Sequence, residues 1–155
     1  MPPRIKTIAN YQNSRYVAEE ARLNDYDQSL ILNNQGKVSE STYTCVFMVK
    51  NGKLITPSVT SGILDSITRK SIIEISRNEL GLEVEEREID RTEFYVADES
   101  YICGTGGEIQ FIGQIDGYML SNNKPGKISK EIQNLYHNIV RGIDSRYNHW
   151  RTETY

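Results

Sequence analysis

Thr44-Cys45-Val46-Phe47-Met48-Val49-Lys50-Asn51-Gly52-Lys53-Leu54-Ile55-Thr56 is the stretch whose reading decides the fold. Two apolar, β-branched runs, Thr44 to Val49 and Lys53 to Thr56, flank the turn Lys50-Asn51-Gly52-Lys53. An Asn-Gly pair readily takes the positive φ angles of a tight type I′ turn, so the two runs are expected to form a hairpin in the middle of the fold. Upstream, Ser29-Leu30-Ile31-Leu32 reads as a short strand stopped by Asn33-Asn34-Gln35-Gly36, and Asn13 to Asn24 carries a helical pattern in Tyr16, Val17, Ala21 and Leu23.

Downstream, Ser66-Ile67-Thr68-Arg69 opens a helix whose apolar positions are Ile72, Ile73, Ile75 and Leu80, with Gly81 as its stop. Glu83 to Ile89 alternates like a strand with one buried face. Asp90-Arg91-Thr92-Glu93 has the form of a capping box and predicts a short helix or turn. A strand is expected from Glu108 to Ile115, a turn at Asp116-Gly117, and a last amphipathic helix from about Ile128 to Arg141, ended by Gly142. Hairpins outnumber strand-helix-strand crossovers, which favours α+β over a doubly wound parallel sheet.

Composition narrows the function classes. The chain has 155 residues, with 18 Lys and Arg against 21 Asp and Glu for a net charge of −3, and its length suits one domain. Hydrophobic residues make up 37%, against about 45 to 50% in an average globular domain, so large polar surfaces are expected, some of them covered by another structure. Basic residues are interleaved with acids, as in Glu85-Glu86-Arg87-Glu88, which argues against nucleic acid as a partner. No apolar run approaches the roughly 18 residues of a membrane span, and the first residues lack the pattern of a secretory signal, so a cytoplasmic protein is expected. Cys45 and Cys103 belong to no CxxC pattern and read as two buried apolar thiols, with neither a disulfide nor a metal site expected.

Two features have the physics of an anion site. Gly104-Thr105-Gly106-Gly107 follows a strand and can turn several N–H groups and a hydroxyl toward one point. The start of the Thr68 helix offers N–H groups without intrahelical partners, at the positive end of the helix dipole. Convergence of the two would make a phosphate cup; the plain alternative is that a Gly-rich turn simply turns and Thr68 is near an N-cap. Taken singly, Glu40 in Lys37-Val38-Ser39-Glu40-Ser41-Thr42 reads as a solvent-facing strand residue, Lys6 as an exposed lysine and His137 as a partly buried helix residue.

Taken together, the motifs R-I-K-T-I-A-N-Y (Arg4 to Tyr11), G-K-V-S-E (Gly36 to Glu40), T-S-G-I-L-D-S-I-T-R (Thr60 to Arg69), E-R-E-I-D-R-T-E-F-Y-V-A-D-E (Glu86 to Glu99), G-T-G-G-E-I (Gly104 to Ile109) and I-D-G (Ile115 to Gly117) run in one register. In that order the chain resembles the class IV, or fold type IV, pyridoxal-phosphate aminotransferases, most closely their branched-chain amino-acid branch. The resemblance implies an α+β fold in which mixed sheets form a pseudo-barrel with surrounding helices. It implies that residues 1–155 are a single cofactor-binding domain, the family's larger C-terminal one, without the smaller N-terminal domain. That smaller domain gives an arginine to the cofactor phosphate and much of the substrate pocket.

Residue by residue, the resemblance makes Lys6 the catalytic lysine, which condenses with pyridoxal 5′-phosphate and later shuttles a proton, chemistry open to an amine. Glu40 matches the acid facing the pyridine nitrogen, and Tyr11 the tyrosine that hydrogen-bonds the cofactor 3′-oxygen. Ile67, Thr68 and Thr105 match phosphate-binding positions, and Gly106 and Gly107 fall where small residues approach the substrate carboxylate. The implied reaction is transamination of an amino acid, on this resemblance a branched-chain one, with 2-oxoglutarate, in a homodimer; a separate N-terminal domain is a further implied partner.

The same scaffold supports D-amino-acid transamination and aminodeoxychorismate lysis, and a catalytically inert truncated domain or assembly module is the competing reading. Within the match, Ser41 and Tyr43 replace both glycines of the usual S-E-G-x-G, and Gln110-Phe111 replaces Thr-Pro after G-T-G-G-E-I. The large ring of Tyr43 then stands where backbone normally passes close to neighbouring structure.

Overall fold

Asn51 and Gly52 do take positive φ, at 51° and 74°, in a computed structural model that describes residues 2–120 and 123–152. In chain order the elements are α1 (Tyr11–Leu23), β1 (Leu30–Leu32), β2 (Val38–Ser41), β3 (Cys45–Lys50), β4 (Lys53–Pro57) and α2 (Ile67–Asn78). They continue with β5 (Val84–Arg87), β6 (Glu99–Gly104), β7 (Glu108–Phe111), β8 (Gln114–Ile115), β9 (Tyr118–Met119) and α3 (Lys127–Val140). The Asn-Gly turn joins β3 to β4 with Lys50 opposite Lys53. Around that hairpin grows a five-stranded sheet in the order β5-β4-β3-β6-β7, flanked by the two-stranded β1-β2 and β8-β9. The architecture is the expected mixed α+β.

All pairs in the large sheet are antiparallel except β4 with β5, which α2 connects as a crossover. Central strand β3 is buried on both faces, because its side chains alternate between two cores. Phe47 and Val49 pack with Tyr101, Ile72 and Ile132 on the side of α2 and α3. Val46 and Met48 pack with Val38, Ile89, Phe94 and Ile115 on the other. A third cluster, Ile75, Ile139 and Tyr147, seats the residues after α3 against the helix pair.

The expected helix stops hold: Gly81 and Gly142 have φ of 62° and 75°. Ser66 caps α2 by accepting from the Arg69 N–H at 3.4 Å. Helix α3 takes its cap from another element. The Glu99 carboxylate of β6 accepts from the Ile128 and Ser129 N–H groups at 3.1 and 2.6 Å, filling the space a side chain at Gly126 would occupy. Glu93 accepts from the Asp90 N–H at 2.9 Å, as the capping box required, ahead of a 3-10 turn over Arg91–Val96.

Three expectations are corrected. The Glu83 to Ile89 alternation marks no strand with one clean buried face: β5 is a half-buried, parallel edge strand, and its charges are paired off by Lys53, Arg69, Arg77 and Glu93. The run from Glu108 to Ile115 is not one strand. It breaks at Ile112-Gly113, where a Cβ on Gly113 would overlap the side chain of Asn123, and resumes as β8. The first helix starts at Tyr11 rather than Asn13, behind a 3-10 turn over Ile8–Asn10, and of its apolar positions only Ala21 is buried. Tyr16 and Leu23 are 79% and 67% exposed, a stripe that nothing in the described residues covers.

Candidate active site

Glu40 sits on β2 between buried Ser39 and Ser41. Its own side chain is half-buried, and Oε1 accepts a short hydrogen bond from the Leu64 N–H. Gly62, at φ 86°, turns the loop that presents Leu64. Glu40 is therefore not the solvent-facing strand residue its isolated pattern suggests. Burial raises its carboxyl above the ordinary range, while the Leu64 N–H and the charge of Lys6 pull it back down.

Lys6, on the chain leading into α1, meets Tyr11, the first residue of that helix. Lys6 Nζ donates to Tyr11 Oη at 2.8 Å and lies 5.3 Å from the centre of the Tyr11 ring. The Asn10 amide clamps this segment by donating to the Pro2 and Ile5 carbonyls at 2.9 and 2.8 Å. The ring of Tyr43 stacks with that of Tyr11 at 6.2 Å between centroids and 26° between planes. The residue that breaks the family's glycine pattern is thus a wall of the site.

Thr105, Gly106 and Gly107 form the turn between β6 and β7, closed by Glu108 at a φ of 50°. Glu108 is steadied by Arg141, the residue that caps the C-terminal end of α3, at 2.9 Å. At the root of the turn, a Cβ on Gly104 would lie 3.2 Å from Thr44 Cγ2, whereas one on Gly106 would meet nothing within 4 Å.

These pieces enclose one cavity of about 380 Å³. Lys6, Tyr11, Glu40, Thr105, Gly106 and Gly107 all line it, so six of the eight residues singled out in the sequence come together. Ile67 and Thr68 are not among the residues that line it: Ile67 is 84% exposed and Thr68 is buried. At the start of α2 it is the capping Ser66 that stands in the cavity wall. Sequence reasoning missed Ser66, Leu64, Cys45 and Cys103 as wall or anchoring residues. Ser66 was findable as the N-cap before Ile67; the others depend on which strands lie side by side.

A larger groove, about 1160 Å³, runs between α1, β1 and the segment from Gln110 to Asp116. Among the described residues no group of three or more His, Cys, Asp or Glu is placed to hold a metal ion. No helix among them is long and apolar enough to cross a membrane.

A family model described as Amino-transferase class IV matches residues 1–115. A probable branched-chain-amino-acid aminotransferase of Aquifex aeolicus (strain VF5) is 42% identical over 155 residues, 100% of this chain and 50% of that protein. The branched-chain amino acid aminotransferase of Thermobaculum terrenum, in its PLP form, matches with a TM-score of 0.95 at 52% identity, over 98% of this chain and 50% of that one. A T.th. branched-chain amino acid aminotransferase complexed with N-(5′-phosphopyridoxyl)-L-glutamate matches with a TM-score of 0.93 at 31% identity, over 98% and 51%. The chain thus spans about half the length of the curated relatives it matches.

Proposed function

The chain belongs to the class IV aminotransferases, and from that premise we propose that it carries the lysine-and-acid side of a pyridoxal-phosphate site for transamination between a branched-chain amino acid and 2-oxoglutarate. The observation that carries the reading is the sharing of one cavity by the Lys6 amine, the Glu40 carboxylate and the hydroxyl-bearing glycine turn. The donor set fits pyridoxal 5′-phosphate, the cofactor of this family. An amine suits its aldehyde, a carboxylate its ring nitrogen, a phenol its 3′-oxygen, and backbone N–H groups its phosphate. A volume of about 380 Å³ lies within the usual range for cofactor and ligand sites.

When bound, the cofactor supplies an aldehyde for condensation and a ring that accepts an electron pair from the substrate α-carbon. Lys6 Nζ would be the amine that holds the cofactor through its aldehyde and, once released, the base that takes and returns the α-carbon proton. Tyr11 Oη accepts from Lys6 Nζ and so fixes where that nitrogen points. Glu40, with Oε1 occupied by Leu64, keeps Oε2 to accept from a protonated ring nitrogen. Thr105 would hold the phosphate, and the Ile67 and Thr68 N–H groups of the first turn of α2 would add donors to it. Gly106 leaves open space beside the substrate carboxylate.

The branched-chain assignment rests on the activity for which these relatives are named, and 2-oxoglutarate on the glutamate moiety of the phosphopyridoxyl ligand in the T.th. structure. We read residues 1–155 as one cofactor-binding domain. An arginine for the phosphate and much of the substrate pocket belong to the family's smaller domain. A homodimer is the expected assembly, with the uncovered faces of α1 and of Tyr118 and Met119 as surface available to it; sedimentation showing only monomer at high concentration refutes this. The uncovered stripe of α1 also favours a second reading, that the isolated chain is inert until another structure lies over it.

One experiment separates these readings. Pyridoxal phosphate is added to the purified chain, the product is reduced with borohydride, and adducts are located by peptide mass spectrometry with Lys6→Ala as control. An adduct confined to Lys6 supports the assembled half-site; none, or a scatter over surface lysines, favours the inert module. Supplying the smaller domain and comparing L-leucine, D-alanine and aminodeoxychorismate then tests the substrate, and preferred turnover of either of the last two sinks the branched-chain assignment.

A further inference from the structure

Cys45 and Cys103 have no part in the transamination proposed above, yet the register sets them directly opposite each other on β3 and β6. Opposed residues of an antiparallel pair have Cα atoms about 4.5 to 5.5 Å apart. A disulfide spans Cα separations of about 4.4 to 6.8 Å. Both side chains lie on the same face of the sheet, in the cluster of Phe47 and Tyr101, as opposed positions of a ladder must. Both are free thiols.

They are also reachable. Each is nearly buried, at 6% and 1% exposure, but both line the cavity whose rim carries exposed Lys6 and Thr105. The two thiols are unequal. Contact with Cys103, aided by the Ser66 hydroxyl and the charge of Arg69, lowers Cys45 below the ordinary thiol range, against the opposing effects of burial and Glu40. Burial holds Cys103 well above it. One member of the pair is the better nucleophile and the other keeps its proton.

We propose that Cys45 and Cys103 are a site of oxidative modification, a dithiol that a small peroxide entering through the cofactor cavity converts to an intrachain disulfide. The Cys45 thiolate attacks one peroxide oxygen: an S–O bond forms, the O–O bond breaks, and the departing hydroxide takes up the proton that Cys45 released, becoming water. The Cys103 sulfur then attacks the sulfenic sulfur: the S–S bond forms, the S–O bond breaks, and the Cys103 proton leaves in a second water. Two electrons pass from the thiol pair to the peroxide. Because Cys103 immediately precedes Gly104 and Thr105, the bond ties β3 to β6 at the root of the glycine turn. The chemistry is independent of whether the cavity takes pyridoxal phosphate.

The test uses the full reduced chain and hydrogen peroxide. Free thiols counted after denaturation in a maleimide fall from 2 per chain to none, and dithiothreitol restores them. Peptide mapping then finds one Cys45–Cys103 cross-link in monomeric protein. With Cys103→Ser, Cys45 is left as a sulfenic acid that dimedone traps. Two thiols that survive peroxide, disulfides between chains, or sulfinic acids without the Cys45–Cys103 peptide would each overturn the proposal, and the wild-type readout does not depend on how the variant folds.

Discussion

The two walls of the cavity are built in opposite ways. Glu40, Ser66 and the Gly104 turn belong to strands and a capped helix, and they are backed by buried Ser39, Thr68, Arg69 and Cys103. Lys6 instead lies on the chain entering α1, a helix with one buried residue, and Tyr11 is the first residue of that helix; the two are held by one mutual hydrogen bond, the Asn10 clamp and the Tyr43 ring. Glu40 and the glycine turn are therefore set by folding itself, whereas the Lys6 amine is attached to them from outside. Changes in the packing of the first wall should cost stability and cofactor binding together, and changes in the second should remove chemistry while sparing the fold.

The largest effect is expected at Arg69, 1% exposed behind the first wall. Its Nη2 donates to the Pro57 carbonyl at 2.8 Å and Glu86 Oε2 at 3.0 Å, and its Nε to Thr56 Oγ1 at 3.4 Å. Arg69→Ala strands those acceptors and opens a void where the long side chain packed, a loss of about 3 kcal/mol. Urea denaturation measures it; a loss below about 1 kcal/mol, the scale of an ordinary substitution, would mean that the wall does not lean on Arg69.

Gly104→Ala comes next, since its Cβ would stand 3.2 Å from Thr44 Cγ2 and push β3 from β6 under the glycine turn. Overpacking of this kind costs about 1 kcal/mol. Thr44→Ser removes that methyl, so the double variant should recover most of the loss and most of the Lys6 trapping; additive losses would show that the two positions are not coupled.

Some of this contrast could be read from the chain and some could not. Asn51-Gly52, Gly81, Gly142 and Glu93 act on their immediate neighbours, and their turns and caps were legible because a few residues contain the whole cause. The parallel pairing of β4 with β5 was not, since it depends on how α2 carries the chain across. Nor was the break at Gly113, where the Asn123 side chain fills the space of a Cβ, or the opposition of Cys45 and Cys103, which depends on register between distant strands. In the site, Lys6 is exposed, so nothing local separates it from other surface lysines; only the ordered motifs single it out. They could not tell that the Ile67 side chain is exposed, because that follows from the phase of α2 against the sheet.

Glu40→Gln sharpens the comparison through pH. Burial raises the Glu40 carboxyl, so the folded chain holds its proton more tightly than the unfolded chain does. That contribution to stability is fully present below the unfolded carboxyl value of about 4.3 and is lost as pH rises through the folded value. Glutamine has no charge to bury and still accepts from Leu64, so the cofactor-free variant should melt higher than the parent toward neutral pH and converge with it in acid. Thermal scans across that range test the sign, and a variant that melts lower at neutral pH would place the acid in a wetter setting than the first wall provides. Cofactor retention should fall at the same time, because an amide favours the protonated ring less than a carboxylate does.

The smallest effect on the fold is expected at the position with the largest effect on chemistry. Lys6 is exposed, and its bond to Tyr11 joins two groups that water can also satisfy, so Lys6→Ala should change stability by no more than about 0.5 kcal/mol. Borohydride trapping at this position vanishes with the amine. If the variant unfolded as readily as Arg69→Ala, the segment before α1 would be part of the buried framework and the two walls would be one. If stability held but reduction still labelled the cavity at another lysine, the amine assignment would fall and the contrast between the walls would stand. Loss of trapping with the melting curve unchanged is what a reactive group attached from outside requires, because the free energy that places Glu40 and the glycine turn is then already spent in the sheet and α2 before Lys6 is put to use.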